Sequence, residues 1–329
     1  MKTSKMYREA FQSASSLIRK RDFVHYLPVV AQPTDLGNES WAFIWAAIRY
    51  YDDLTDEPEL SFQQKDGLHV DIWEAVQEMY NNSFNVVKAD SELMKWLYFY
   101  IQNDIEYEFG TYQYLRLLYE SNIEDHERSR DRKIYTNKQL SNLIHKKAAC
   151  FIKVMYSVGM GIHDVLCEHL GRALQIVDDI MDMKFDLSVD QINITKEDID
   201  KFEIDLDSPD LLSQLQVKGF FDYRATQILQ HIKIARNAAM KLADSWTRKF
   251  SLMATELLAA PILENRFRPG EKYYVKGGRI LNSLLPNDEK RAYRLGYRLI
   301  KMLYRFIPQC NQVSLNKSLL QLPEIEPCI

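Results

Sequence analysis

Along this chain, apolar residues recur mainly at spacings of three and four, the mark of helices that bury one face. Strand-like alternation is scarce. The pattern predicts helices over 5–21, 41–53, 62–82 and 89–120. The first ends in the basic run Arg19-Lys20-Arg21, Pro28 and Pro33 bracket a connection, and Asn38 or Ser40 is placed to cap the second helix. Pro58 ends that helix. The charged stretch 121–136 reads as a solvated loop. Asn137 then caps a helix reaching Gly159, and another covers 162–187. Residues 188–215 are polar and broken. A long helix spans 220–250, a shorter one reaches Arg266, and a last one covers 287–306, with turns at Pro269-Gly270 and Gly277-Gly278. The tail 308–329 is expected to be loose. The expectation is a single all-α domain over 1–329, built from about ten helices.

Composition agrees. Eleven Gly and ten Pro in 329 residues are few, which favours long helices over a turn-rich sheet protein. An apolar fraction of 46%, with 12% aromatic, can build a sizeable core or an apolar cavity. A net charge of -4 argues against a general nucleic-acid binder. The four cysteines form no Cys-x-x-Cys pair and no zinc-finger spacing with histidine, so buried thiols in a reducing, cytoplasmic compartment are expected. Residues 1–20 are polar, and the longest apolar run, 41–48, is too short to span a bilayer. A lipid substrate would therefore enter from solution or by transient contact with a membrane. A monomer or homodimer is expected.

Two acidic clusters carry the chemistry. On a helix Arg49, Asp52 and Asp56 stand at i, i+3 and i+7, one face, with Asp53 on the flank. Asp178, Asp182 and Asp186 stand at i, i+4 and i+8, a second stripe. Both follow apolar stretches, 42–48 and 173–177. Carboxylates on a buried helix are costly unless positive charge meets them. Few Lys or Arg lie close in sequence, so divalent cations are the simplest answer. Mg²⁺ takes a few carboxylates, some waters and the oxygens of a substrate phosphate. Two such stripes facing each other across a cavity would hold Mg²⁺ and a diphosphate, with Arg49 offsetting its charge. Metal coordination improves diphosphate as a leaving group. An allylic chain would leave as a carbocation, sheltered by an apolar, aromatic-lined pocket. One Asp-Asp-x-x-Asp alone is usually a solvated face; two copies, each on an apolar helix, are a far stronger signal.

The first cluster reads Arg49-Tyr50-Tyr51-Asp52-Asp53-Leu54-Thr55-Asp56, and the second runs from Gln175 through Asp178, Asp179 and Asp182 to Asp186. With Phe23, Leu27-Pro28, 136–140 and the 220–236 helix, these segments resemble the squalene/phytoene synthase family, within the class I trans-isoprenoid synthases. The resemblance runs from about residue 10 to 300. It implies a helical bundle around a central cavity and Mg²⁺-dependent ionisation of an allylic prenyl diphosphate (C10–C20), with coupling of the cation to a second molecule. It further implies that Asp52, Asp53, Asp56, Asp178, Asp182 and Asp186 bind metal, that Arg49 binds diphosphate and that Gln175 lines the site. Lys146, Lys147 and Lys153, on a largely apolar helix, are candidate diphosphate contacts, as are Tyr273, Tyr274 and Arg279 of a late segment. His145 and His163 read as structural, and Asp104, Glu106 and Glu108 as a solvated face.

The chain also departs from the family. Asp178 replaces a usual Asn, and 171–182 with Lys146-Lys147 resembles chain-elongating polyprenyl synthases. The basic pair those enzymes carry after their first motif is Glu57-Pro58-Glu59 here. Trp45 replaces a Tyr, Gln191 an Arg, and Lys20 and Asp22 two serines. Diphosphate ionisation is common to every branch. The fate of the cation stays open between transfer to a second molecule and cyclisation by a class I terpene cyclase, with a non-catalytic scaffold as the third alternative.

Overall fold

The computed structural model describes residues 5–21, 35–55, 57, 59–89 and 91–263. Among these residues the regular structure is helical, with no strand, as the periodicity predicts. No described helix is long and apolar enough to cross a membrane. The last predicted helix, both glycine turns and the tail lie outside the described residues. The chain forms two compact units. One holds the described residues up to Gln113 together with Val154–Gly161; the other holds Tyr114–Lys153 and the described residues from Ile162 onward.

The first unit packs α1 (Lys5–Arg21), α2 (Asp35–Thr55), α3 (Phe62–Tyr80) and α4 (Glu92–Tyr107). Its centre is aromatic: Tyr7 meets Phe43 and Phe99 edge-on, at 5.3 and 5.0 Å between ring centroids. Ser61 and Gln64 form a capping box that starts α3, and Ser91 caps α4. Helix α2 begins earlier than the capping pattern predicts. Asn38 and Ser40 are therefore buried inside it, and Ser40 accepts a hydrogen bond from Asn103 at 2.9 Å.

The predicted helix 89–120 is two helices. Asp104, expected on a solvated face, is buried, and its carboxylate accepts from the Thr111 hydroxyl at 2.6 Å and from the Tyr80 hydroxyl. Glu108 ends α4 in the left-handed conformation (φ 54°). A carboxylate that reaches forward to Thr111 draws the chain out of the helix.

The second unit contains α5 (Tyr112–Arg130, from Tyr114 on), α6 (Asn137–Ile144), a π-helical turn (His145–Ala149), the start of α7 (Cys150–Ser157), α8 (Asp164–Met181), α9 (Met183–Ser188), α10 (Lys196–Phe202), α11 (Leu211–Val217), α12 (Phe220–Met240) and α13 (Ser245–Leu263). Helix α8 packs on α12, on α13 and on the π turn. Leu166, Leu170, Ala173 and Val177 of α8 are buried, as are Ile228, Ile232, Ala235 and Ala239 of α12. Gly171 lets the π turn come close: a Cβ there would lie 2.7 Å from the Ala149 Cα. The thiols of Cys150 and Cys167 are buried and free.

Four predicted boundaries move. The charged stretch 121–136 is a loop only over 131–136, because α5 continues to Arg130 and buries Ser121, His126 and Arg128. Thr136, not Asn137, caps α6, in a capping box with Gln139. The 162–187 helix breaks at Asp182 (φ -95°, ψ 0°), which ends α8 and begins α9. The 220–250 helix stops at Met240, and α13 starts at Ser245.

Candidate active site

In the first unit the acidic cluster ends α2, whose preceding turns bury Ala42, Phe43, Ile44, Ala46 and Ala47. Arg49 bridges two carboxylates one turn on: Nη1 lies 3.0 Å from Asp52 and Nη2 lies 3.2 Å from Asp53. The i, i+3 and i+4 spacing of a helix produces this fork. The Arg49 side chain is 45% exposed, so these pairs are well solvated and worth little to stability. The structure thus joins Arg49, Asp52 and Asp53, while Asp56 lies outside the described residues. Next to Asp52 in the chain, the buried Tyr51 pairs through its hydroxyl with His69 Nδ1 and ties α2 to α3.

In the second unit the acidic cluster divides at the Asp182 break. Asp178 is exposed and Asp182 half-buried, whereas Asp186 is only 8% exposed. Burial pushes the Asp186 carboxyl up to about 8; the carboxylates of Asp179, Asp182 and Asp178 add to the push and Lys147 opposes it. Its Oδ2 accepts from Asn193 Nδ2 at 2.9 Å. Gln175, expected to line the site, donates to Asp179 Oδ1 at 2.8 Å. Burial also raises Asp179, while Gln175, Arg128, Lys147 and Arg224 hold it down. The predicted single stripe of Asp178, Asp182 and Asp186 is therefore corrected: the kink turns Asp186 inward.

Sequence spacing suggests that few cations lie near these carboxylates, and the fold supplies several from elsewhere. Lys147, on the π turn, pairs with Asp125 at 2.8 Å. Arg128, 1% exposed, pairs with Asp125 at 2.6 Å and donates to Asn193 Oδ1 at 2.8 Å and to the Ile192 carbonyl at 3.2 Å. Burial works against the Asp125 charge, but Lys147 and Arg128 together hold its carboxyl below the usual range. Gln191 donates to the same carboxylate at 3.3 Å. Lys146 pairs with Glu124 at 3.1 Å, and Arg224 with Asp198 at 2.7 Å.

Of the remaining candidates, Lys153 is buried against the Tyr114 ring and pairs with Asp164 at 2.9 Å, not with the acidic cluster. Tyr273, Tyr274 and Arg279 lie outside the described residues. His145 pairs with Glu168 at 2.6 Å. Sequence spacing assigns no role to Asp125, Arg128 and Asn193, and includes Asp179 in the second cluster without a role of its own. A signal for two of them exists: Leu118, Ser121, Asp125 and Arg128 repeat at three and four residues and continue the buried stripe of α5. Among the described residues no three His, Cys, Asp or Glu side chains gather closely enough to hold a metal ion.

The fold that carries these two clusters is the helical isoprenoid synthase fold of squalene/phytoene synthase type, as the sequence resemblance implies. The chain is similar to a dehydrosqualene synthase solved in complex with a ligand, with a TM-score of 0.61 and 15% identity over 90% of this chain and 98% of that one. It is also similar to squalene synthase HpnC from Alicyclobacillus acidocaldarius, with a TM-score of 0.60 and 16% identity over 80% of this chain and 96% of that one. No protein-family model matches the chain, and no curated protein does.

Proposed function

We propose that this protein is a Mg²⁺-dependent prenyltransferase of squalene/phytoene synthase type. It ionises an allylic prenyl diphosphate of C10–C20 length and couples the cation to a second molecule, either another prenyl diphosphate or a different acceptor. What supports this reading is the presence of two acidic clusters, Arg49 with Asp52 and Asp53 at the end of α2 and Asp178, Asp182 and the buried Asp186 about the α8–α9 break, in a chain with this fold. Such a group favours a cation that relieves it. Mg²⁺ binds through one or two carboxylates, which these clusters supply, plus waters and substrate phosphates.

The residues that would hold Mg²⁺ are Asp52, Asp53 and Asp56 in one unit and Asp178, Asp182 and Asp186 in the other. Bound there, Mg²⁺ would offset diphosphate charge and ease its departure. Arg49 and Lys147, now paired with carboxylates, exchange those partners for phosphate oxygens. Arg279 and Tyr274 are proposed as further diphosphate contacts. The scissile C–O bond breaks with both electrons leaving on diphosphate. The allylic cation is then captured by a π bond or another nucleophile of the acceptor, and a proton is lost. Class I cyclisation is the second reading, favoured by the Asp178 and Gln191 departures from the squalene pattern.

Purified protein with Mg²⁺ and single C10, C15 or C20 diphosphates separates the readings by product mass. A product of doubled carbon number supports condensation, and a cyclic product of unchanged carbon number supports cyclisation. No turnover and no Mg²⁺-dependent diphosphate binding would sink both and leave a non-catalytic scaffold.

A further inference from the structure

Asp186 sits on α9, a helix of only six residues between the Asp182 break and Asp190, whose φ is +59°. So short a helix is marginal by itself and relies on contacts with other segments. What holds the carboxylate comes from the segment behind it. Asn193 Nδ2 lies 2.9 Å from Asp186 Oδ2, and Asn193 Oδ1 lies 2.8 Å from Arg128 Nη2. The amide orientation follows from chemistry: a guanidinium only donates, so the Asn193 oxygen faces Arg128 and its NH₂ must face Asp186. That NH₂ donates to the carboxylate and fixes its orientation.

Arg128 is held in turn by Asp125 at 2.6 Å, by the Ile192 carbonyl at 3.2 Å and by the Tyr135 ring, 5.4 Å from its centroid. Arg224 Nη2 reaches the Asn193 carbonyl at 3.4 Å and fixes the same segment from α12. Every link of the chain from α5 to Asp186 is thus anchored at a second point.

We infer that Arg128, acting through Asn193, is a positioning residue that presents the Asp186 carboxylate and sets the divalent-cation affinity of the second unit; this rests on the function proposed above. Outer partners of this kind change metal affinity by roughly 10- to 100-fold when removed. A purely structural Arg128 would merely staple the 191–193 segment to α5.

The test reads binding, not turnover. The full chain is melted with inorganic diphosphate across a Mg²⁺ titration. For Asn193→Ala, the Mg²⁺ concentration giving half of the melting shift should rise roughly tenfold, over and above the drop in metal-free melting temperature that losing two buried hydrogen bonds brings. Arg128→Met should act in the same direction, and Arg128→Lys should recover part of the loss. If Arg128→Met does not fold, Asn193→Ala carries the test alone. An unchanged Mg²⁺ midpoint in Asn193→Ala, or an effect confined to the metal-free melting temperature, overturns the inference. A wild-type chain with no Mg²⁺ response would sink the functional reading and this inference together, whereas a responsive wild type with an equally responsive Asn193→Ala sinks the inference alone.

Discussion

His169 Nδ1 and His231 Nδ1 lie 2.8 Å apart, so at least one ring must be neutral to accept the shared proton. Burial pushes His231 down to about 3, and the neighbouring His169 and Arg172 add to the push. The unfolded chain protonates this ring below 6.5, so its contribution is complete above that pH and is lost as pH falls from 6.5 towards 3. At pH 5 the loss is up to about 2 kcal/mol. Glu168, held down to about 2 by His145 and Arg172 against burial, loses its own contribution only below 4.5. Asp186 acts in the opposite sense in the metal-free protein, because its raised carboxyl keeps a proton that the unfolded chain gives up. The histidine is therefore read as a difference. Denaturant unfolding at pH 7.5 and pH 5 should show His231→Asn losing about 2 kcal/mol less than wild type over that interval. Parallel losses would show that His231 is not held neutral. At this scale the sequence displays the acidic residues but not their surroundings. The spacing of Asp178, Asp182 and Asp186 implies equivalence, and the break at Asp182 removes it.

Helices were the most readable elements, because the apolar period survives whatever partner a face meets. Their ends were less readable, because several are set by side chains that reach other segments, as Asp104 reaches Thr111. The stretch after Ser121 shows the limit: its charge suggests solvent, yet Arg128 is buried with its two terminal nitrogens paired to Asp125, Asn193 and Ile192. The π turn has no sequence signature of its own. It carries Lys146 and Lys147 to Glu124 and Asp125 of α5, and Gly171 gives it room against α8. A methyl group at Gly171 would stand 2.7 Å from the Ala149 N and Cα and 2.8 Å from the Ala148 carbonyl carbon, all backbone atoms that cannot rotate aside. Gly171→Ala should cost about 1–3 kcal/mol in denaturant unfolding. A neutral result would mean that the π turn shifts freely against α8.

For the molecule as a whole, the all-α class was legible from the apolar period and the squalene/phytoene synthase-like fold from two acidic motifs and their flanks, and the structural similarities agree at the level of fold. The candidate site was legible only as a set of acidic residues. Its acidic residues follow from motif spacing, while the cations and amides that surround them come from distant helices and follow only from packing. Both acidic clusters are proposed to serve diphosphate ionisation, and inorganic diphosphate released from an allylic prenyl diphosphate reads that role directly. Wild type should release it with Mg²⁺ and not with chelator. Asp52→Asn and Asp182→Asn should each lower the rate at least about 100-fold while the helical circular-dichroism signal persists. Full release by either variant, or equal release in chelator, would contradict the account.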